Sequence, residues 1–207
     1  MVRVPATRTL ENALRRVGFV YVAGVDEVGR GCLAGPVVAA AVVLHPDRHV
    51  SGVSDSKLVP AAEREQLYDE IIRHAVAWAV AAVDPIEIDR INIHQASLRA
   101  MQRAVLMLAP LPDVVLVDAF RIPDLPMAQR GVRHGDRRCS AIAAASIVAK
   151  VTRDRQMRVL HDQDPRYGFD RHKGYATAEH LDAVARYGYS DVHRRSFRPS
   201  TLFDTID

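Results

Sequence analysis

The chain has 207 residues, 48% of them hydrophobic, which suits one ordinary domain with a real core and at most a small appendage. A net charge of +3 and a sequence pI of about 9.1 leave a basic margin that suits a polyanionic partner. Cys32 and Cys139 have neither disulfide-framework nor metal-cluster spacing, Met1–Arg16 lacks an apolar signal core, and the runs Val37–Leu44 and Ala75–Val83 are shorter than the ~20 residues of a membrane span, so a reducing cytoplasm is expected.

Leu10, Leu14 and Val17 fall at helical spacing and predict a leading helix over Arg8–Val17, closed by Gly18. Phe19–Val25 reads as a strand, and Val37–Leu44 as a second, buried strand after Pro36. The link between them is too short for a crossover, so they pair antiparallel. After the polar loop Ser51–Lys57, Pro60 opens a helix to about His74, and Ala75–Val83 is a third strand stopped by Asp84-Pro85. One long amphipathic helix is expected over Ile86–Leu108, with Ile88, Ile91, Leu98, Met101, Val105 and Leu108 on one stripe and Pro110 and Pro112 as its stop.

Asp113–Val117 reads as a central strand covered on both faces, and it delivers Asp118 at its C-terminal end, a favoured place for chemistry in α/β sheets. Ile122–Arg138, with Pro123, Pro126, Gly131 and Gly135, reads as a loop. Ser140 to about Leu160 is a helix whose small residues Ala141–Ser146 let it press on a sheet, while Lys150–Arg158 is strongly charged. From Asp164-Pro165 the texture changes to a basic, aromatic loop at Tyr167-Gly168 and His172–Tyr175, a helix between caps at Thr177 and Gly188, and a basic tail over His193–Arg198. The expected architecture is α/β: a mixed sheet with three antiparallel strands followed by parallel ones, flanked by helices over residues 1–160, and a small helical appendage over residues 161–207.

The chemistry concentrates in Gly24–Gly35 (GVDEVGRGCLAG). Adjacent carboxylates at the edge of a core repel, and must be hydrogen-bonded, protonated or neutralised by a cation. Glycines just beyond them let the backbone approach a ligand closely, and Arg30 between two of them can reach a phosphate or sugar. The bland alternative is a strand ending in a Gly-rich turn with solvated acids. Asp26, Glu27, Asp118 and Asp136 all stand at predicted element ends without a helical ion-pair partner. If they converge, an all-oxygen set selects Mg²⁺ or Mn²⁺, and two such ions about 4 Å apart can hydrolyse a phosphodiester. Because side chains alternate along a strand, Asp26 and Glu27 share a site only if the strand has ended or bulged there.

Gly29–Ala34 also matches G-x-G-x-x-A, but Gly35-Pro36 leads into a strand rather than a helix, which excludes a dinucleotide site. No Walker sequence, nucleophile elbow or H-E-x-x-H is present. Lys57, Lys150, Lys173 and Arg194-Arg195 are candidate phosphate ligands, as are His172 and His193, against a solvated surface role. Tyr175 either stacks on a sugar or base, or packs the appendage against the core.

With these segments in place, the chain resembles the bacterial ribonuclease HII (type 2 ribonuclease H) family from about Tyr21 to Pro199. The matching stretches are Gly24–Gly35, Asp55-Ser56-Lys57, Leu116–Ala119 (LVDA), Gly135-Asp136, Ala141–Asp154, His172–Tyr175 (HKGY) and His193–Phe197 (HRRSF). The resemblance implies an RNase H-like fold and a metal-dependent hydrolase that cuts the RNA of RNA-DNA hybrids and cleaves 5′ of ribonucleotides embedded in duplex DNA. It puts Asp26, Glu27, Asp118 and Asp136 on the four catalytic, metal-holding acids. Gly29, Arg30 and Gly31 fall on a loop that reads the ribose 2′-OH, and Tyr175 on an aromatic stacked against the neighbouring deoxyribose. Two alternatives remain at this point: a non-catalytic nucleic-acid binder, and an RNase H-like nuclease acting on all-DNA structures. A monomer is the default, and Ser200–Asp207 shows no partner-binding peptide.

Overall fold

The computed structural model describes residues 5–197; the termini, including the stretch from Ser200 onward, lie outside the described residues. After helix α1 (Thr9–Arg16), strands β1 (Val22–Val28) and β2 (Val37–Leu44), helix α2 (Ala61–His74) and strand β3 (Ala75–Val83) follow in order. Helices α3 (Pro85–Ile91) and α4 (Ile93–Leu106) then lead to strands β4 (Val114–Asp118) and β5 (Ala128–Val132). The chain continues with α5 (Gly135–Arg138), the long α6 (Ser140–Gln163), a 3-10 turn at Pro165–Tyr167, α7 (Phe169–His172) and α8 (Ala178–Tyr187). The strands form one sheet in the order β3-β2-β1-β4-β5, antiparallel across β3, β2 and β1 and parallel across β1, β4 and β5.

β2 is buried along its whole length, because α6 covers one face of the sheet and α4 the other. Such a strand needs a continuous apolar run rather than an alternating one, and VVAAAVVL supplies it. The alanines of α6 let it lie close on β1. At Gly24 the approach is so close that a Cβ would stand 2.1 Å from the Ala141 carbonyl carbon. This contact fixes the height of the β1 end against α6.

Three expectations are corrected. β1 runs to Val28 with unbroken pairing to β2 (Asp26↔Ala40, Glu27↔Ala39), so the strand neither ends nor bulges at the two acids. The expected single helix over Ile86–Leu108 is two: Asn92 takes φ 67, leaves the helical path, and caps α4 by accepting the N–H groups of His94 and Gln95. The expected loop Ile122–Arg138 contains β5 and α5. β5 (AQRGV) is an edge strand with only Val132 buried, so its backbone ladder to β4 carries it and no hydrophobic alternation announces it.

Candidate active site

The acids meet at the C-terminal ends of β1 and β4. Pairing between these strands stops at Val25↔Val117, and beyond it β1 has no neighbour on that side. Side chains leaving its two faces therefore open onto one cleft. Asp26 faces Ser146 of α6, and Glu27 reaches the same cleft from the next position. Asp118 ends β4, where its Oδ1 accepts the Gly135 N–H at 2.7 Å. That bond holds the start of α5, which carries Asp136 into the cleft. The space, about 230 Å³, is lined by all four acids together with Gly29, Arg30, Gly31, Lys57, Lys150 and Tyr175.

The electrostatics are those of acids without enough counter-charge. Burial, then Glu27 and Asp118, raises Asp26 well above the ordinary carboxylate range, with the Ser146 hydroxyl and the Glu27 N–H only partly opposing. Burial brings Glu27 up to about 7, although Arg30, 3.6 Å away, pulls the other way. Burial and then the Asp55 and Asp118 charges raise Asp136. Such a set asks for a cation. Among the described residues, no three His, Cys, Asp or Glu side chains close on one point as a finished cage. Mg²⁺ takes one or two carboxylates plus substrate phosphate and retains several waters, so an open all-oxygen cleft fits it better than a closed cage would.

The Gly loop is held from behind by buried arginines. Arg153, fully buried, donates to the carbonyls of Pro36, Ala34 and Lys173; Arg194, equally buried, donates to those of Gly35 and Arg30. Gly29 needs its glycine twice over, with φ 91 and a virtual Cβ 2.3 Å from Arg153 Nε. Gly31 differs: its φ is not positive, and a Cβ there would meet nothing within 4 Å. The fold does not require glycine at that exposed position. Arg30 lies over the Phe120 ring at 4.9 Å, and Cys32 bridges to Tyr175, which is 39% exposed at the cleft mouth.

Several sequence candidates stand elsewhere. The Lys173 ammonium bonds the Asp170 carbonyl, and the residue does not line the cleft. Lys150 lines it but is paired with Asp154 at 2.6 Å, whereas Lys57 lines it with no side-chain ion pair among the described residues. Arg194 spends its donors on carbonyls inside the protein, and His172 and His193 are 8% and 2% exposed, so none of these three faces a phosphate. Sequence reasoning missed Arg153, hidden in a charged stretch that looks solvated, and Ser146, one of several small residues on α6. The pairing of Lys150 with Asp154 was readable from its i,i+4 spacing.

Comparisons with known proteins identify the family. The profile of the family described as Ribonuclease HII matches residues 23–200. The ribonuclease HII of Bacillus cereus (strain Q1) is 50% identical over 189 residues, covering 91% of this chain and 73% of that protein. The crystal structure of ribonuclease H2 from Pyrococcus horikoshii OT3 superposes with a TM-score of 0.72 at 26% identity, over 88% of this chain and 95% of that one. Bst-RNase HIII, crystallised in complex with Mn²⁺, shares the fold at a TM-score of 0.60 and 23% identity, over 89% of this chain and 69% of that one. A mixed sheet of this topology, in a chain so matched, is that of an endoribonuclease of the type 2 ribonuclease H class, and the chain is a member of the ribonuclease HII family.

Proposed function

We propose that this endoribonuclease cuts on the 5′ side of ribonucleotides embedded in duplex DNA, and within RNA-DNA hybrids, with two Mg²⁺ or Mn²⁺ ions held by Asp26, Glu27, Asp118 and Asp136. The observation that carries the reading is the placement of these acids, the Gly29–Gly31 loop and Tyr175 around one cleft. When bound, the ions supply an activated water and neutralise charge at the phosphate and leaving oxygen. The protein's own groups do the rest. Lys57 and Lys150 face the phosphate's outer oxygens, and Arg30 stands beside the sugar. Gly31 leaves room for the ribose edge, so that backbone groups of the loop meet the 2′-OH. Tyr175 lies under the adjacent sugar. Residues 161–207 serve as a substrate-binding appendage on a catalytic part spanning residues 1–160, and the enzyme works as a cytoplasmic monomer.

The test is a DNA duplex with a single ribonucleotide, incubated with Mg²⁺, with Mn²⁺ or with chelator, beside a ribose-free control. A cut 5′ of the ribose that chelator abolishes is the expected result, and Asp118→Asn should abolish it while duplex binding persists. Cleavage of the ribose-free control would transfer the reading to a DNA nuclease, and binding without cleavage to a non-catalytic binder.

A further inference from the structure

On the far side of α5 from the acids lies a second concavity, about 670 Å³, between α1, β5 and α5. Its charged lining consists of Arg130, Arg133, Arg137 and Arg138, with Thr7 and Thr9 on the α1 side and no carboxylate among the described residues. The arginines are all exposed. Arg137 alone has an ionic partner, Asp55 at 3.0 Å; Arg130, Arg133 and Arg138 have none among the described residues. In a chain whose 28 basic and 25 acidic residues nearly balance, this is a local segregation of positive charge. It has no visible structural use, because guanidinium groups crowded together repel.

The groove is tied to the cleft by one short element. α5 presents Asp136 to the acids, while the next two residues, Arg137 and Arg138, line the groove. β5 likewise runs out of the sheet with Arg130 and Arg133 at the groove, beside β4, which ends in Asp118. A polyanion with one phosphate at the acids therefore has its neighbouring phosphates led towards these arginines. Tyr175, by contrast, closes the cleft from the appendage. Guanidinium forks and threonine hydroxyls are suited to phosphate oxygens, which they contact without reading sequence.

We infer that the α1–β5–α5 groove is a phosphate-backbone track that holds one duplex arm of the nucleic-acid substrate, the arm leaving the cleft on the Asp136 side. This rests on the function proposed above, since the track is useful only if the cleft takes a phosphodiester. Its part is affinity and register rather than chemistry: removal of the track raises KM and leaves the cut position and kcat in place.

The experiment measures binding of a duplex with one ribonucleotide to the Asp118→Asn protein between 50 and 200 mM salt, with and without Arg130→Ala, Arg133→Ala and Arg138→Ala combined. A control removes Arg48, Arg73 and Arg90, exposed arginines that line neither concavity. The track variant should bind about 10- to 100-fold more weakly at low salt, with a log-log salt slope shallower by about 2 to 3, because each lost phosphate contact removes about 0.9. Trimming one duplex arm, and only that one, should weaken the unmodified groove and leave the track variant indifferent. An unchanged slope, an equal response of the control triple, or continued sensitivity of the track variant to both arms would overturn the track. Cleavage by the wild-type enzyme in the same buffers separates that outcome from failure of the functional reading, which would show as no cut at all.

Discussion

Replacing His193 by Phe should destabilise the protein most at neutral pH, with the penalty shrinking in acid. His193 is 2% exposed, and its Nδ1 accepts the Ser190 N–H at 3.0 Å, so its proton sits on Nε2. Nε2 points at His180 Nε2, 3.0 Å away, and His180 donates its Nδ1 proton to the Tyr175 carbonyl at 2.9 Å. The chain of bonds requires both rings neutral, each in one tautomer; a further proton would set two N–H groups face to face. Burial, then the His180 neighbour, pushes His193 down to about 4, and burial lowers His180 and His172 as well. The unfolded chain takes up a proton near pH 6.5 that the folded one refuses until about 4, so this stability is complete above pH 6.5 and is lost as pH falls through that window. At about 1.36 kcal/mol per pH unit, the gap is worth about 3 kcal/mol in full and about 2 kcal/mol by pH 5. The raised carboxyls of Asp26, Glu27 and Asp136 act in the opposite sense, so only the difference between wild type and variant isolates His193. Urea unfolding at pH 7.5 and pH 5.0 should show the His193→Phe penalty smaller by about 2 kcal/mol at the lower pH. A penalty independent of pH would refute the neutral relay.

Gly31→Ala should leave thermal stability within about 0.5 kcal/mol of wild type, since the added methyl meets no protein atom. Cleavage at an embedded ribonucleotide should nevertheless fall at least tenfold; equal activity would mean that no substrate atom comes close to that loop. Gly24→Ala drives a methyl into the Ala141 backbone and should lower stability by about 3 kcal/mol or prevent folding, as urea unfolding would report. Arg153→Met strands the carbonyls of Pro36, Ala34 and Lys173 and should cost about 3 to 5 kcal/mol, with Tyr175-dependent cleavage lost ahead of global unfolding.

The site was more legible than its supports. Asp26, Glu27 and Asp118 announce themselves because charged residues at the ends of apolar runs have few structural uses. The regular elements follow from period and caps: α2 and β3 stand within a residue of their expected bounds. What stayed hidden depends on neighbours. β5 is held by a backbone ladder that leaves no side-chain pattern, and the buried Arg153 and Arg194 are satisfied by carbonyls of the Gly29–Pro36 turn and, for Arg153, of Lys173. The break at Asn92 was encoded, since Asn is a strong helix cap, but the apolar stripe continues across it and masks the change of direction. That Asp26 and Glu27 share a cleft on a regular β1 was unreadable because it depends on where β4 stops beside it.

The acids gathered in the cleft also strain it, and this gives the sharpest test of the role proposed for them. Glu27 has a side chain 8% exposed and sits, because of burial, at about 7 rather than at its ordinary 4.5. The folded chain holds that proton across the interval where the unfolded chain has released it, so ionisation weakens the fold as pH rises from 4.5 through 7. At pH 8 the penalty is about 3 kcal/mol by the same scale, with the opposing pull of Arg30 already counted in it. Glu27→Gln in EDTA at pH 8 should therefore raise stability by about 1 to 3 kcal/mol while abolishing cleavage. Mg²⁺ should stabilise the wild type, by about 2.7 kcal/mol at one hundred times its Kd, and the variant distinctly less, so that the two unfolding curves draw together as the ion is added. A variant less stable than wild type in EDTA, or an equal gain from Mg²⁺ in both, would mean that Glu27 is held by the protein alone and is not waiting for a cation.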